Sequence, residues 1–211
     1  MGNERNISLS VALIAHNEGP ILGDALWSVC WADQLVVVDA GSTDNTAVTA
    51  KAYGAEVYTE PNRTNLNENK NIAIDHCRGE WILVLDADEV IPYDLAGAIR
   101  RTIADKVPEN GLLIPRKNFV LGRWTRRGSQ YPDYQLRLFR RGRGRFPAQH
   151  VHERLKVQGK IGKLDIPFEH HPYRDLDTLI EKTAVTWNLK PSICSKTASA
   201  QLFRDWRVRW F

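Results

Sequence analysis

Residues 81–89, Trp-Ile-Leu-Val-Leu-Asp-Ala-Asp-Glu, constrain the fold of this chain most. Their four consecutive aliphatic residues predict a strand that is buried on both faces, as in a parallel sheet. Alternate side chains of a strand point the same way, so Asp86 and Asp88 should leave its carboxyl end together, where open α/β sheets bind ligands. Such paired carboxylates suit Mg²⁺ or Mn²⁺. The alternative is that Asp88 or Glu89 caps the next helix.

The segments before this strand predict three further strands that alternate with helices. The predicted strands are Ile7–Ala15, Leu35–Val38 and Glu56–Thr59, and the helices begin at Pro20, after the loop 39–46, and at Asn67. Short connections between alternating elements are typical of an α/β fold, a mainly parallel sheet with helices on both faces. The polar loops 15–18, 39–45 and 86–89 should then meet at one edge.

The second half of the chain differs in composition. Between Arg116 and Arg145 there are ten Lys or Arg residues and one acid, Asp133, with aromatic residues between them. The predicted elements here are a helix over 94–104, strands over 112–115 and 135–139, and a hairpin around 159–163. A length of 211 residues is typical of one domain that buries a full core.

Cysteine usage and hydropathy indicate the compartment. Three widely spaced cysteines do not form a disulfide framework, which favours a reducing compartment. There is no apolar leader at the N-terminus and no apolar run of membrane-spanning length. We therefore expect a cytoplasmic location.

Taken together, several motifs resemble the inverting glycosyltransferases of family 2, which have the GT-A nucleotide-sugar fold. In chain order they are Ala15-His16-Asn17-Glu18, Val36-Val37-Val38-Asp39-Ala40-Gly41-Ser42-Thr43-Asp44, Lys70-Asn71, Gly79-Glu80-Trp81 and Leu85-Asp86-Ala87-Asp88-Glu89. Two later segments, Gln135–Arg141 and Val151-His152-Glu153, resemble a bacterial subgroup that elongates the lipopolysaccharide inner core.

The resemblance implies a metal-dependent transfer of a hexose from a nucleotide-diphosphate sugar, commonly a UDP-sugar. The acceptor would be a cell-envelope glycolipid or polysaccharide such as lipopolysaccharide core. Residues 1–211 would form one GT-A domain, with a nucleotide-sugar-binding half over about 1–105 and an acceptor-side half over about 106–211. Chains of the subgroup extend further, so we expect that the C-terminus is truncated.

The resemblance also assigns roles to single residues. Ala15 and Glu18 would line the nucleotide pocket, and Asp39 would hydrogen-bond the base. Lys70 would reach the base or the diphosphate. The Asp-X-Asp motif would supply Asp86 to the ribose or a metal-bound water, and Asp88 directly to Mg²⁺ or Mn²⁺, a cation that neutralises the departing diphosphate.

Inversion requires a base that deprotonates the acceptor hydroxyl. Glu153 stands where the resembling subgroup carries His-Glu, and the alternative is a surface acid paired with Arg154. Asp133 is the runner-up, although an isolated acid among bases often only balances charge. His170 is a candidate further metal ligand, alongside Asp86; a loop histidine is more often a hydrogen-bonded structural residue.

Two segments keep several interpretations open. The basic, aromatic segment 116–145 suits a phosphorylated saccharide or glycolipid acceptor, because arginine matches phosphate geometry. It also fits single-stranded nucleic acid or a solvated basic face, but a sugar-donor site in the same chain favours the acceptor, and we expect no nucleic acid. The apolar stripe of Leu202–Phe211 predicts either an interfacial helix on the anionic inner face of the cytoplasmic membrane or a packing helix.

Two other function classes fit parts of the pattern. A sugar-phosphate nucleotidyltransferase also uses a nucleotide-binding α/β fold and Mg²⁺, but it typically opens with a glycine-rich loop bearing Arg and Lys. The first loop here, residues 15–19, is acidic and has one glycine. A non-catalytic nucleotide-sugar-binding relic is disfavoured by the joint presence of the candidate acids.

Overall fold

Strands and helices alternate through the first half of the chain. The computed structural model describes residues 8–126, 131–147, 154–173, 176–177 and 179–180. Its elements up to residue 104 are β1 (Leu9–Ala15), α1 (Gly19–Ser28), β2 (Gln34–Asp39), α2 (Thr46–Ala52), β3 (Glu56–Thr59), α3 (Leu66–Asp75), β4 (Trp81–Asp86), β5 (Glu89–Val90) and α4 (Tyr93–Ala104). The predicted alternation is confirmed, and only the two-residue strand β5 was not expected.

Strands β3, β2, β1 and β4 lie side by side in that order, and all are parallel. All six residues of β2 are buried, as the β-branched run Val36–Val38 leads one to expect. The carboxyl ends of β1, β2 and β4 therefore meet at one edge of the sheet. This confirms that the three polar loops lie together.

The second half extends the same sheet with antiparallel and parallel strands, except for β9 and β10, which form a separate two-stranded sheet. Its elements are β6 (Gly111–Val120), β7 (Arg123–Trp124), β8 (Asp133–Arg140), β9 (Gly144–Arg145), β10 (Lys156–Val157), β11 (Ile161–Lys163) and β12 (Phe168–Tyr173). Strand β8 runs antiparallel to β4, β6 antiparallel to β8, and β12 parallel to β6. Strand β5 pairs antiparallel with β12, which brings the end of the chain's second half beside the turn that follows β4.

The predicted hairpin around residues 159–163 is wrong. Strand β11 pairs parallel with β6, and β10 pairs antiparallel with β9. Gly159 does make a turn, with a φ of +99°. The backbone N–H of Asn110, just before β6, donates to the carbonyl of Lys160, so that the next strand, β11, pairs with β6. The glycine signals a turn, whereas the free edge of β6 decides the pairing.

Hydrophobic residues pack on both faces of the sheet. On one face, Leu83 of β4 packs in a cluster that contains Leu26 of α1 and Leu95 of α4. On the other face, Val84 packs in a cluster that contains Ile74 of α3. This confirms the mainly parallel α/β sheet with helices on both faces. In the part of the chain that the structure describes, no helix is long and apolar enough to cross a bilayer; the segment Leu202–Phe211 lies outside that part.

Candidate functional site

The loop after β2 places Asp39 at the carboxyl edge of the sheet. Asp39 is 4% exposed, and its carboxylate accepts the backbone N–H of Ser42 at 3.1 Å. Ala15, the last residue of β1, lies beside it in register and accepts the N–H of Ala40 at 2.8 Å. The residues that we expected to line the nucleotide pocket and to hydrogen-bond the base are therefore adjacent.

Hydrogen bonds tie the first two loops together. The backbone N–H of Glu18 donates to the Thr46 hydroxyl at 2.9 Å, and the N–H of Gly19 donates to Asp44 at 3.1 Å. The amide oxygen of Asn17 accepts the Thr43 N–H at 2.8 Å. Asn17 has a φ of +53°, which few residues other than Gly, Asn and Asp adopt. The two loops thus form one fixed wall beside the edge.

Asp86 ends β4 between two cations. Lys70 of α3 places its Nζ 2.7 Å from Asp86 Oδ1, and Arg137 of β8 places its Nη2 2.8 Å from Oδ2. Burial raises the pKa of Asp86, but Lys70 and Arg137 outweigh burial and hold that pKa well below its usual range. Asp86 is therefore ionised at neutral pH, and its contact with Lys70 was not predicted from the sequence.

Glu89 lies beneath Asp86 and is fully buried. Arg137 donates Nη2 to Glu89 Oε1, and the backbone N–H of Asp86 donates to Glu89 Oε2 at 3.0 Å. Burial raises the pKa of Glu89, with Arg137 acting in the opposite direction. Burial lowers the pKa of the Arg137 guanidinium, but Glu89 and Asp86 outweigh burial and raise that pKa. Glu89 is thus a buried partner of Arg137 rather than a helix cap.

Asp88 faces a histidine of strand β12, in the second half of the chain. His170 of β12 places Nε2 3.6 Å from Asp88 Oδ2, and its Nδ1 lies 2.8 Å from Oδ1 of Asn118 on β6. The backbone carbonyl of Asp88 also accepts the N–H of His171 at 2.8 Å. When Nδ1 donates to Asn118, Nε2 carries its lone pair toward Asp88, an arrangement that second-shell partners give to metal-ligating histidines.

The two acids of the Asp-X-Asp motif therefore have different neighbours, Lys70 and Arg137 for one and His170 for the other. Across the residues that the structure describes, no three His, Cys, Asp or Glu side chains converge as a metal-holding group. Glu153, the candidate base, lies outside those residues. Its predicted role stays a prediction.

Asp133, the runner-up base, is held by Arg116, Gln135 and Asn118. Arg116 donates Nε to its Oδ2 at 2.9 Å, and Gln135 donates to its Oδ1 at 2.6 Å. Burial opposes ionisation, but Arg116 keeps the pKa of Asp133 below its usual value. Arg116 also lies 4.0 Å from Glu89. An acid held ionised in this way is a weak proton acceptor.

A cavity of about 1010 Å³ lies beside the turn that carries Asp88, with Val90, Ile91 and His171 in its lining. Its lining includes Trp27 and Trp31 from α1 and the turn after it, Tyr93 at the start of α4, and His171 and Tyr173 of β12. None of Asp39, Asp86 and Asp88 lines it.

Sequence reasoning missed Arg137, Arg116 and Asn118. Arg137 and Arg116 looked like ordinary members of the basic segment, and Asn118 carried no signal. Their importance follows from strand register, because β8, β6 and β12 bring them opposite the turn after β4. No sequence pattern marks Arg137 as a buried cation that lies between two acids.

A family profile and several known proteins each match a large part of this chain. The family profile described as Glycosyl transferase family 2 matches residues 10–159. Lipopolysaccharide core biosynthesis glycosyltransferase LpsC of Rhizobium meliloti (strain 1021) is 30% identical over 162 residues, which is 74% of this chain and 60% of that protein. An uncharacterized glycosyltransferase of Rickettsia bellii (strain RML369-C) is 31% identical over 127 residues, 60% of this chain and 43% of that protein. The chain thus spans about half of the length of these relatives.

Solved structures share the fold. The crystal structure of S. aureus TarS 1–349 in complex with UDP-GlcNAc aligns with a TM-score of 0.63 and 19% identity, over 82% of this chain and 61% of that one. The mannosyltransferase PcManGT of Pyrobaculum calidifontis, in complex with GDP-Man and Mn²⁺, aligns with a TM-score of 0.51 and 18% identity, over 69% of this chain and 49% of that one.

Proposed function

Because this chain belongs to glycosyl transferase family 2, we propose that it transfers a hexose, with inversion, from a UDP-sugar to a cell-envelope glycolipid or polysaccharide such as lipopolysaccharide core. One relative is named for lipopolysaccharide core biosynthesis, and one structural neighbour was crystallised with UDP-GlcNAc. We place the donor site in about residues 1–105 and the acceptor side in about residues 106–211.

One observation carries the donor site. Asp39 and Asp86 end strands β2 and β4, which flank β1 in one parallel sheet, and Lys70 reaches Asp86 at the edge where these strands end. In the proposed complex Asp39 hydrogen-bonds the base, Ala15 and Glu18 line its pocket, and Asp86 faces the ribose or a metal-bound water. Lys70 brings a positive charge to the base or the diphosphate.

We assign the divalent cation, Mg²⁺ or Mn²⁺, to Asp88, with His170 as a further ligand and Asp86 close by. The donor set fits: a carboxylate oxygen and an imidazole nitrogen are 3.6 Å apart, and Asn118 fixes the histidine tautomer. Such ions are often held by one or two carboxylates together with phosphate oxygens. When bound, the cation neutralises charge that builds on the leaving diphosphate.

The proposed base is Glu153, which accepts the proton of the acceptor hydroxyl. Asp133 ranks below it because Arg116 and Gln135 occupy both of its carboxylate oxygens. Its lowered pKa also makes it a poor proton acceptor at neutral pH. Glu153 is therefore ranked above Asp133 because of the contacts that Asp133 makes.

The acceptor is proposed to be a phosphorylated saccharide or glycolipid. On the acceptor side, Lys117 and Arg126 lie over the ring of Trp124, at 4.7 and 4.3 Å from its centroid, and Tyr131 meets that ring edge-on. Clustered cations beside aromatic rings suit a ligand that combines phosphate with sugar. Such an acceptor places the enzyme at the inner face of the cytoplasmic membrane and gives nucleic acid no role.

A donor-hydrolysis screen tests the function. The 211-residue chain is incubated with Mn²⁺ and a panel of UDP-, GDP- and CMP-sugars, and the released nucleotide is quantified by chromatography. We expect release from one or more UDP-hexoses, and none from the Asp88→Ala variant. Release from no nucleotide sugar, together with no detectable binding of UDP, would overturn the proposal.

A further inference from the structure

Asp86, Glu89 and Arg137 form a closed ring of hydrogen bonds. Nη2 of Arg137 donates to Asp86 Oδ2 at 2.8 Å and also to Glu89 Oε1. The second oxygen of Glu89 accepts the backbone N–H of Asp86 at 3.0 Å. The ring therefore holds the backbone and the carboxylate of Asp86 at the same time.

The burial of this ring is not explained by stability. Glu89 is 0% exposed and Arg137 is 8% exposed. Desolvating two such charges costs about as much as their attraction returns, and well-packed apolar residues are often at least as stable. Arg137 Nε is also buried and finds no hydrogen-bond partner in the part of the chain that the structure describes. A sequence selected for stability alone has no need of this ring.

The location of the ring connects it to the donor site. Asp86 Oδ1 is bound by Lys70, so Arg137 holds the opposite oxygen and fixes the rotation of the carboxylate. Because Glu89 holds the Asp86 N–H, the ring also fixes the turn in which Asp88 lies. A one-ångström displacement of such groups is enough to reduce activity strongly.

We propose that Arg137 and Glu89 are positioning residues for the donor: their ring aims Asp86 at the nucleotide and sets where Asp88 meets the diphosphate. This inference rests on the proposed glycosyltransferase function. Neither residue touches the donor; both act through Asp86. The buried pair is thus a device that keeps the Asp-X-Asp turn in one conformation.

Three variants test the ring by titration calorimetry with UDP and Mn²⁺. Arg137→Lys keeps the charge but replaces the rigid guanidinium, whose Nη2 bridges the two carboxylates, by an ammonium on a flexible stem. Glu89→Leu removes both acceptors of the ring, whereas Glu89→Gln keeps one oxygen for the Asp86 N–H and turns its NH₂ group toward Arg137 Nη2. Loss of an outer-shell partner typically costs about 10- to 100-fold, so we expect that loss in UDP affinity for Arg137→Lys and Glu89→Leu, and a smaller loss for Glu89→Gln.

Arg140→Lys is the matched control. Arg140 is on the same strand, but its guanidinium pairs with Glu80 and lies over the Trp81 ring at the opposite end of β4. Its replacement should leave UDP affinity unchanged. The thermal midpoint of each variant is measured alongside, so that affinity is compared only among folded proteins.

The rate of amide hydrogen exchange at Asp86 measures how firmly the ring holds the Asp86 N–H, and it needs no ligand. We expect faster exchange at this amide in Glu89→Leu than in Glu89→Gln. Wild-type UDP affinity in folded Arg137→Lys and Glu89→Leu, or unchanged exchange at Asp86, would overturn the inference. A wild-type chain that binds no UDP would instead overturn the proposed function, and the exchange rates would still decide whether the ring holds Asp86.

Discussion

Lys70 Nζ and Asp86 Oδ1 lie 2.7 Å apart, which joins helix α3 to the carboxyl end of β4. The Lys70 side chain is only 16% exposed, and its ammonium also lies 5.4 Å from the centroid of the Phe146 ring. The ion pair therefore presents a fixed positive charge at the edge where we place the donor. This arrangement has consequences for nucleotide binding.

Lys70→Met should weaken UDP binding by about tenfold or more, because a partly desolvated contact between an ammonium and a diphosphate is worth about 1.5–3 kcal/mol. Calorimetric titration with UDP measures the change. Lys51→Met is the control, since Lys51 lies exposed in the last turn of α2. An equal loss of affinity in both variants would mean that net charge, rather than position, matters.

Asn118→Ala should weaken Mn²⁺-dependent UDP binding by about 10- to 100-fold, because His170 loses the partner that fixes its tautomer. Asn118→Asp keeps an oxygen acceptor for Nδ1 and should retain most of the affinity. Titration of UDP at several Mn²⁺ concentrations separates the two variants. Identical behaviour of both would assign His170 a structural role.

Glu153→Gln should abolish sugar transfer while UDP affinity stays at the wild-type value, because a base is needed for the acceptor and not for the donor. Asp133→Asn should retain measurable transfer, since that carboxylate already pairs with Arg116. Rates of transfer to an isolated cell-envelope glycolipid fraction provide the measurement. The reverse order of activities would move the base to Asp133.

Asp44→Asn should reduce stability at pH 7 by roughly 0.5–1 kcal/mol, because an amide keeps only one of the two oxygens that accept N–H groups at the start of α1 and α2. The Thr46 hydroxyl, opposed by slight burial, holds the pKa of Asp44 below its ordinary value. A carboxylate with a lowered pKa stabilises the fold at pH values above its unfolded pKa of about 4. This stabilisation is lost as the pH falls through the folded pKa.

The difference between wild type and Asp44→Asn should therefore be constant from neutral pH down to about pH 5 and should shrink below about pH 4. Urea denaturation at a series of pH values measures it. A difference that grows as the pH falls would contradict the assigned role of this carboxylate.

The sequence predicted the donor-side edge well because the determinants are local. A buried run such as 82–85 defines its own strand, and parallel pairing then places Asp39 and Asp86 at the same edge. Local patterns do not encode pairing between distant strands. Three features depend on such pairing: the position of β11, which was predicted wrongly, the two-residue strand β5, and the contact of His170 with Asp88.

Arg137 shows the same limit at the level of one side chain. It lies at the register shift between β6 and β8, and its neighbours along the strand are ordinary core residues. Only the three-dimensional arrangement turns this arginine toward Asp86 and Glu89. Hydrophobic periodicity predicts which face is buried, but it does not predict which charge a buried face will enclose.

The central claim is that Asp88 holds a divalent cation for the nucleotide diphosphate. Calorimetric titration of UDP into the wild-type chain, Asp88→Ala and the control Asp94→Ala, each with and without Mn²⁺, tests it most directly. Asp94 lies exposed in the first turn of α4 and serves as a nearby acid without a proposed role.

We expect Mn²⁺ to strengthen UDP binding by at least about tenfold in the wild type and in Asp94→Ala, and to have no effect in a folded Asp88→Ala protein. The same strengthening by Mn²⁺ in wild type and Asp88→Ala would contradict the account.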